Sequence, residues 1–530
     1  MDSDTYSILP FDINISPPSI SSLSTDALSL IFETLILTNT SRNEGLPLSK
    51  LIRASQVCHD WREITLDSPL LWGRCISLNH PILLEEQRRK EILRRSGKAP
   101  LWIQGKMLME KIANFFFAII KEEWERVQVL DVILVDSSDM WNGAWAPILR
   151  PSPMLQIFKL ANEFSPFTRY PAPFLTDHAP QIKIFRSSNI SFNLHAPWIS
   201  HIQELTLRGS FSLPDVLAAL RNMRKIRHLQ INFTNVGSDV VECPSPVHLP
   251  DLEELMIGNC RHRIWAPVLA TIASTQCRSF ELASNCGAIE GQSTEPVLDI
   301  ACQRLSEFLK YTIAGFPTST IQFDISCKPR RPSEISLVLY EDDFDKKNYR
   351  VHLADSRSRS TFLTIARLLL SHFASVKSLS NIRTMYLYIE DIPMDLQPAL
   401  KAVISVFTSL TWLGATAATL SFIVESCDPR SLPNLHTLMI EYDKDARWND
   451  QWIEKNLMVF LRHRRELDLP ISLLDIWGHP QLTKSNMDCL EEISGLKVRY
   501  AQTSDGKVAD YECGSGRPEL LRLHTNKLAK

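Results

Sequence analysis

Apolar residues near the start of the chain recur with the period of a helix. Leu28, Ile31, Phe32 and Leu35 fall at i, i+3, i+4 and i+7, which predicts one apolar stripe on a helix. The polar stretch that begins at Thr38 and runs to Pro47 interrupts the pattern. The stripe resumes with Leu48, Leu51, Ile52, Ser55, Cys58 and Trp61, predicting a second helix. Asp67-Ser68-Pro69 then closes it before a short third element bearing Leu71 and Trp72. Three short helices over about fifty residues cannot bury that much apolar surface among themselves. The surplus predicts a partner, either the remainder of the chain or another protein.

From residue 124 onward the pattern changes to L-x-x-L-x-L. Val127/Leu130/Val132 is followed by Leu155/Phe158/Leu160, Ile182/Phe185, Ile202/Leu205/Leu207, Ile226/Leu229/Ile231, Leu252/Leu255/Ile257 and Cys277/Phe280/Leu282. Later units are Ile382/Met385/Leu387, Leu435/Leu438/Ile440 and Ile471/Leu474/Ile476. The spacing of the first seven units is that of leucine-rich repeats, about 20 to 29 residues. Cys260 stands where that template asks for Asn or Cys. Helical runs such as Leu213–Leu220, Ala301–Lys310, Phe362–Phe373 and Leu396–Phe407 lie between the strands. Segments 321–325 and 335–339 read as strands of a hairpin at an irregular place. The predicted fold class is α/β: a three-helix module over 23–78, a charged helical connector over 79–123 and an irregular repeat solenoid, or horseshoe, over 124–500. A polar, flexible leader (1–22) and a polar tail (501–530) complete the organisation.

Composition narrows the function classes. Hydrophobic residues make up 44% and charged residues 22%, as expected of a globular interior with a solvated surface. A net charge of −3 offers no footprint for nucleic acid or an anionic membrane. No apolar run reaches the roughly eighteen residues of a membrane helix. Eleven cysteines without a Cys-x-x-Cys pair suit a reducing compartment, cytoplasm or nucleus. No phosphate-binding glycine loop, His-Glu-x-x-His or Gly-x-Ser-x-Gly is present, and the histidines lack metal-ligand spacing. The sequence therefore predicts no catalytic residues, no metal and no cofactor. The tryptophans Trp141, Trp145, Trp198, Trp448 and Trp452 read equally as interface anchors or as core.

The first segment resembles an F-box, the adaptor-binding motif of SCF ubiquitin ligases. Leu23, Asp26, Leu28, Ile31 and Phe32 match the first half of the family pattern. Val57, Cys58, Trp61, Arg62, Ile64, Pro69, Leu71 and Trp72 match the second, in the form common among fungal F-box-like proteins. Ser24 stands where the family usually has proline; a serine there can cap the helix. The resemblance implies a substrate-recognition subunit that binds a Skp-family adaptor, and through it a cullin, while the repeats hold an unknown target protein. Leu23, Leu28, Ile31, Phe32, Leu51, Val57, Trp61, Leu71 and Trp72 would be its adaptor-facing or module-core positions. A non-ligase interaction scaffold using the same helices is the alternative.

Overall fold

The structure, a computed structural model, describes residues 23–37, 47–134, 139–162, 178–187, 192–208, 211–232, 246–273, 277–285, 295–316, 320–328, 332–340, 347–355, 359–428, 430–441, 452–476, 487–501 and 508–521. The expected leader and the residues between 38 and 46 lie outside that set. The chain is a mixed α/β protein with a large, mostly parallel sheet. It divides into two compact units, 1–168 with 172–182, and 169–171 with 183–530.

The first unit opens with four short helices, α1 (Thr25–Leu37), α2 (Pro47–Ala54), α3 (His59–Leu66) and α4 (Pro69–Gly73). The single second helix expected over Leu48–Trp61 is in fact two. The chain turns at Ser55–Val57, and Cys58 is extended (φ −153°). The break is held by the Arg62 guanidinium, whose Nε donates to the Ser55 carbonyl at 3.0 Å. Strand β1 (Ile76–Ser77) follows, then α5 (Glu86–Ser96), β2 (Leu101–Met107), α6 (Glu110–Glu122), β3 (Val127–Leu134) and β4 (Ile157–Asn162). These strands pair in chain order and in parallel, with Ile76 opposite Ile103, Ile103 opposite Leu130, and Leu130 opposite Phe158. The expected connector 79–123 therefore carries a sheet strand of its own. Leu101 and Ile103 fill the inner positions, and Ile112, Phe116 and Ile120 of α6 are buried with them.

The second unit repeats one step many times. Its first strands are β5 (Ile184–Ser187), β6 (Glu204–Arg208), β7 (His228–Asn232), β9 (Glu254–Cys260) and β11 (Ser279–Asn285). All pair in parallel in that order. A side pair, β8 (Val247–His248) with β10 (Ile272–Ala273), flanks α8 (His262–Thr271), and α7 (Leu213–Leu220) precedes β7. The step is fixed by a recurring backbone contact. The Lys183 carbonyl accepts from the N–H groups of both Gln203 and Glu204, the Gln203 carbonyl from Arg227 and His228, the Arg227 carbonyl from Glu253 and Glu254, and the Glu253 carbonyl from Arg278 and Ser279. These bonds measure 2.7–3.0 Å. Equivalent residues of consecutive units thus meet at every turn, which forces the L-x-x-L-x-L positions into register. Leu205, Leu229, Leu255 and Phe280 stack as one buried row.

The array is interrupted after β11. After β11 come α9 (Glu295–Gly315) and β12 (Thr320–Ser326), which leaves room for two strands between itself and β11. The antiparallel β13 (Ser333–Tyr340) and then β14 (Lys347–Asp355) fill the gap, β14 returning to pair with β11, Phe280 opposite Tyr349. This is the irregular hairpin expected near 321–339, with Ile325 opposite Ile335. The meander is anchored to α9 by Tyr349, whose hydroxyl donates to the Leu305 carbonyl at 3.0 Å, and the same helix is held on β11 by Phe308 stacked on Phe280 at 5.0 Å.

The regular step then returns through α10 (Arg359–Ala374), β15 (Thr384–Glu390), α11 (Gln397–Val406), β16 (Trp412–Ala415), α12 (Ala417–Ser426) and β17 (Thr437–Ile440). After a π-helical turn at Ile453–Met458 come α13 (Val459–Glu466), β18 (Leu473–Asp475) and β19 (Lys497–Ala501). The doubly accepting carbonyl reappears at Arg383, Thr411 and His436. Strand β16 supplies the unit missing from the sequence pattern between Ile382 and Leu435, with Leu410 and Leu413 buried. The tail expected at 501–530 is not wholly a tail. An antiparallel strand, β20 (Val508–Glu512), pairs with β19, and Tyr511, Cys513 and Leu521 are buried.

Candidate docking surfaces

The nine positions singled out by the F-box resemblance divide into three groups. Leu28, Phe32, Leu51, Leu71 and Trp72 are core, with Phe32 1% and Leu71 0% exposed. Trp61 is half-buried and meets Phe32 edge-on at 4.9 Å. Leu23, Ile31 and Val57 are exposed, Ile31 at 44% and Val57 at 61%. The predicted stripe on α1 is thus rotated. Its buried residues are Leu28, Phe32 and Ile36, one per turn, while Ile31 and Leu35 form an exposed apolar shoulder beside it. Leu30, 65% exposed, extends that surface and was not singled out.

Local chemistry holds this arrangement. Ser24 caps α1, its Oγ accepting from the Ala27 N–H at 3.2 Å, as its position before the helix suggests. Glu33 on the far side of the shoulder accepts from Arg74 at 2.9 Å, tying α1 to the end of α4. Gly73 closes α4 against the Pro100 carbonyl oxygen so tightly that a Cβ would not fit.

A second surface is the open face of the sheet in the second unit, where side chains alternate with the buried row. In β12, Ile321, Phe323 and Ile325 are buried while Gln322 and Asp324 point the other way. Gln322 lies opposite Tyr386, and Asp324 opposite Tyr388. The Tyr388 hydroxyl donates to Glu441 at 2.5 Å, and the Tyr340 hydroxyl to Gln322 Oε1 at 2.9 Å. Tyr386 and Trp412 meet edge-on at 4.9 Å above Gly414, whose missing Cβ leaves room for both rings. The face is therefore aromatic and acidic at this point. Burial, together with the charges of Glu334 and Glu441, pushes the Asp324 carboxyl up to about 7, against the hydrogen bond from Gln322.

That shift has a measurable sign. The folded state holds the Asp324 proton more tightly than the unfolded chain, so this residue's contribution is complete below about pH 4 and drains away as pH rises towards 7. Asp324→Asn should melt a few degrees higher than the parent at pH 8, and the difference should vanish near about pH 4. Thermal melts of both proteins across that range check it; a constant difference would contradict the burial of the carboxyl.

The tryptophans are packing residues where the structure describes them. Trp198 packs on Phe185 and Phe192, Trp145 on Phe116 and Phe117, and the Trp452 Nε1 donates to Ser421. The side chains of Trp141 and Trp448 lie outside the described residues. Cys260 is buried, its thiol directed at the Ile231 carbonyl of the neighbouring strand. His262 beside it is kept below the usual histidine range by burial. Among the described residues no three His, Cys, Asp or Glu side chains converge as metal ligands, and no helix is long and apolar enough to cross a membrane. No protein-family profile matches this chain, and no curated protein matches it significantly.

Proposed function

We propose that the protein is a substrate-recognition subunit of an SCF-type cullin ubiquitin ligase. In this reading α1–α4 form an F-box-like module that binds a Skp-family adaptor, and through it a cullin. The repeating strands form a leucine-rich-repeat solenoid whose open face holds a target protein. The chain performs no bond chemistry; it raises the local concentration of target lysines near a charged conjugating enzyme. Cytoplasm or nucleus is the compartment it implies.

One observation carries the reading. Of the twelve large apolar residues exposed among the described residues, five (Leu23, Leu30, Ile31, Leu35 and Val57) fall within the segment that resembles the F-box. Surface that a chain leaves apolar in so short a stretch is surface for a partner. The recurring doubly accepting carbonyl supports the solenoid half, since it makes each unit contact only its neighbours.

The test is capture of a purified Skp-family adaptor by the full chain. The double substitution Ile31→Asp with Val57→Asp should reduce affinity on the order of 100-fold or more, because it places carboxylates in an apolar contact. Both sites are exposed, so the melting temperature should not fall. Failure of the parent protein to bind any Skp-family adaptor would sink the ligase reading. That result would favour the interaction scaffold, which Ser24 supports by capping α1 where the F-box pattern has proline.

A further inference from the structure

The helical side of the second unit contains a cleft that neither docking surface uses. It lies between α9 and the C-terminal end of α10, is open to solvent and offers about 570 Å³, within the usual range of small-ligand sites. One wall is a stripe of α9, with Gln303, Ser306, Glu307 and Lys310; the other carries His372, Lys377 and Ser378. We infer that this cleft binds a phosphate monoester.

Charge decides the ligand class. Glu307, the one carboxylate in the lining, is held by Arg304 at 2.6 Å. His372 is held by Asp299 at 2.9 Å. Lys310 and Lys377 stand on opposite walls, and neither has a carboxylate partner among the described residues. Two unpaired ammonium groups across a cleft match a phosphate dianion better than a monoanionic carboxylate. The Ser306 hydroxyl already donates to the Gln303 carbonyl, so it offers its lone pairs rather than its proton.

Such a phosphate can arrive on a protein side chain or on a small ester. Titration of the full chain with a fluorescent phosphoserine peptide, its unphosphorylated form, adenosine monophosphate and inorganic phosphate separates these sources. Saturable binding of the phosphopeptide, competed by inorganic phosphate and absent for the unphosphorylated peptide, is expected if the source is protein. Binding of the nucleotide with an indifferent peptide marks the small ester, and both results uphold the site. Lys310→Ala with Lys377→Ala should weaken binding tenfold or more without changing the melting temperature, both side chains lying at the surface. Glu307→Gln should tighten it severalfold, by removing the opposing charge and freeing Arg304. Unchanged affinity in the lysine variant, weaker binding in Glu307→Gln, or no saturable binding of any probe at millimolar concentration overturns the assignment. None of these readouts depends on adaptor capture.

Discussion

Arg464→Met is expected to destabilise the second unit by about 3–5 kcal/mol. Arg464 is 2% exposed and has no carboxylate beside it among the described residues; burial pulls its pKa down to about 10. Four backbone carbonyls hold the guanidinium instead. Nε donates to Leu469 at 3.0 Å, one terminal nitrogen to Ser431 at 3.1 Å, and the other to Leu432 and Leu435 at 3.1 and 3.0 Å. Three of those carbonyls belong to the corner that leads into β17, where Leu432 adopts a left-handed backbone (φ 59°) that costs a non-glycine residue about 1–2 kcal/mol. The planar fork spans groups on two separate loops, which the single ammonium of a lysine cannot do. Met fills the volume but leaves buried carbonyls without donors, each a loss of about 1–3 kcal/mol before water reaches them. Arg464→Lys should recover less than half of the loss. The check is a urea unfolding midpoint, with hydrogen exchange read over residues 431–437 and 467–471. A Met variant within about 1 kcal/mol of the parent would mean the corner holds itself.

The same corner shows what is legible in the sequence alone. Leu432-Pro433-Asn434-Leu435 stands out in the sequence as the introduction to a strand, and β17 does follow it. The residue that fixes the corner lies about thirty positions later on α13, in a run of charged residues that reads as an exposed face. Inner strand positions were legible because close packing admits only apolar residues there, so Leu205, Leu229 and Leu255 announce themselves. Strands that relax this rule were missed. In β16 the last inner position is Ala415, too small to signal. β2 follows a charged helix and contains Lys106 and a left-handed Gly105 (φ 119°), so its stretch reads as a connector. β20 is an edge strand that buries Tyr511 alone of its residues, leaving an otherwise polar segment.

The candidate surfaces were legible to a lesser depth. On α1 two stripes overlap, Leu28/Ile31/Phe32/Leu35 and Leu28/Phe32/Ile36, and both satisfy helical spacing. Periodicity cannot choose between them, because Leu30, Ile31, Leu35 and Ile36 are all apolar. Packing against α2 and α3 chooses the second, and the rejected residues become the exposed shoulder. The open sheet face was not legible at all. Tyr388 and Glu441 belong to different units, fifty-three positions apart in the chain, and meet because the sheet is parallel and in register.

Trp72→Ala is expected to separate folding from docking in the first unit. The indole is 6% exposed, its Nε1 donates to the Thr65 carbonyl at 2.7 Å, and the Arg95 guanidinium covers the ring at 4.7 Å. Thr65 in turn donates to the Trp61 carbonyl at 2.8 Å, so the contact locks α4 onto α3. Truncation should cost about 3–5 kcal/mol and lower the melting transition of this unit. Trp72→Phe keeps most of the packing and loses the hydrogen bond, a smaller penalty of about 1–3 kcal/mol. If Ile31 and Val57 are the contact residues, the two kinds of variant fail for opposite reasons. Trp72→Ala should lose adaptor capture only in proportion to unfolding and regain it on cooling or with a stabilising osmolyte. Ile31→Asp with Val57→Asp should lose capture at every temperature while melting like the parent. Paired melts and capture assays decide between them. A Trp72→Ala protein that melts normally yet never binds would place Trp72 in the interface, and would overturn the division between core and surface drawn from its burial.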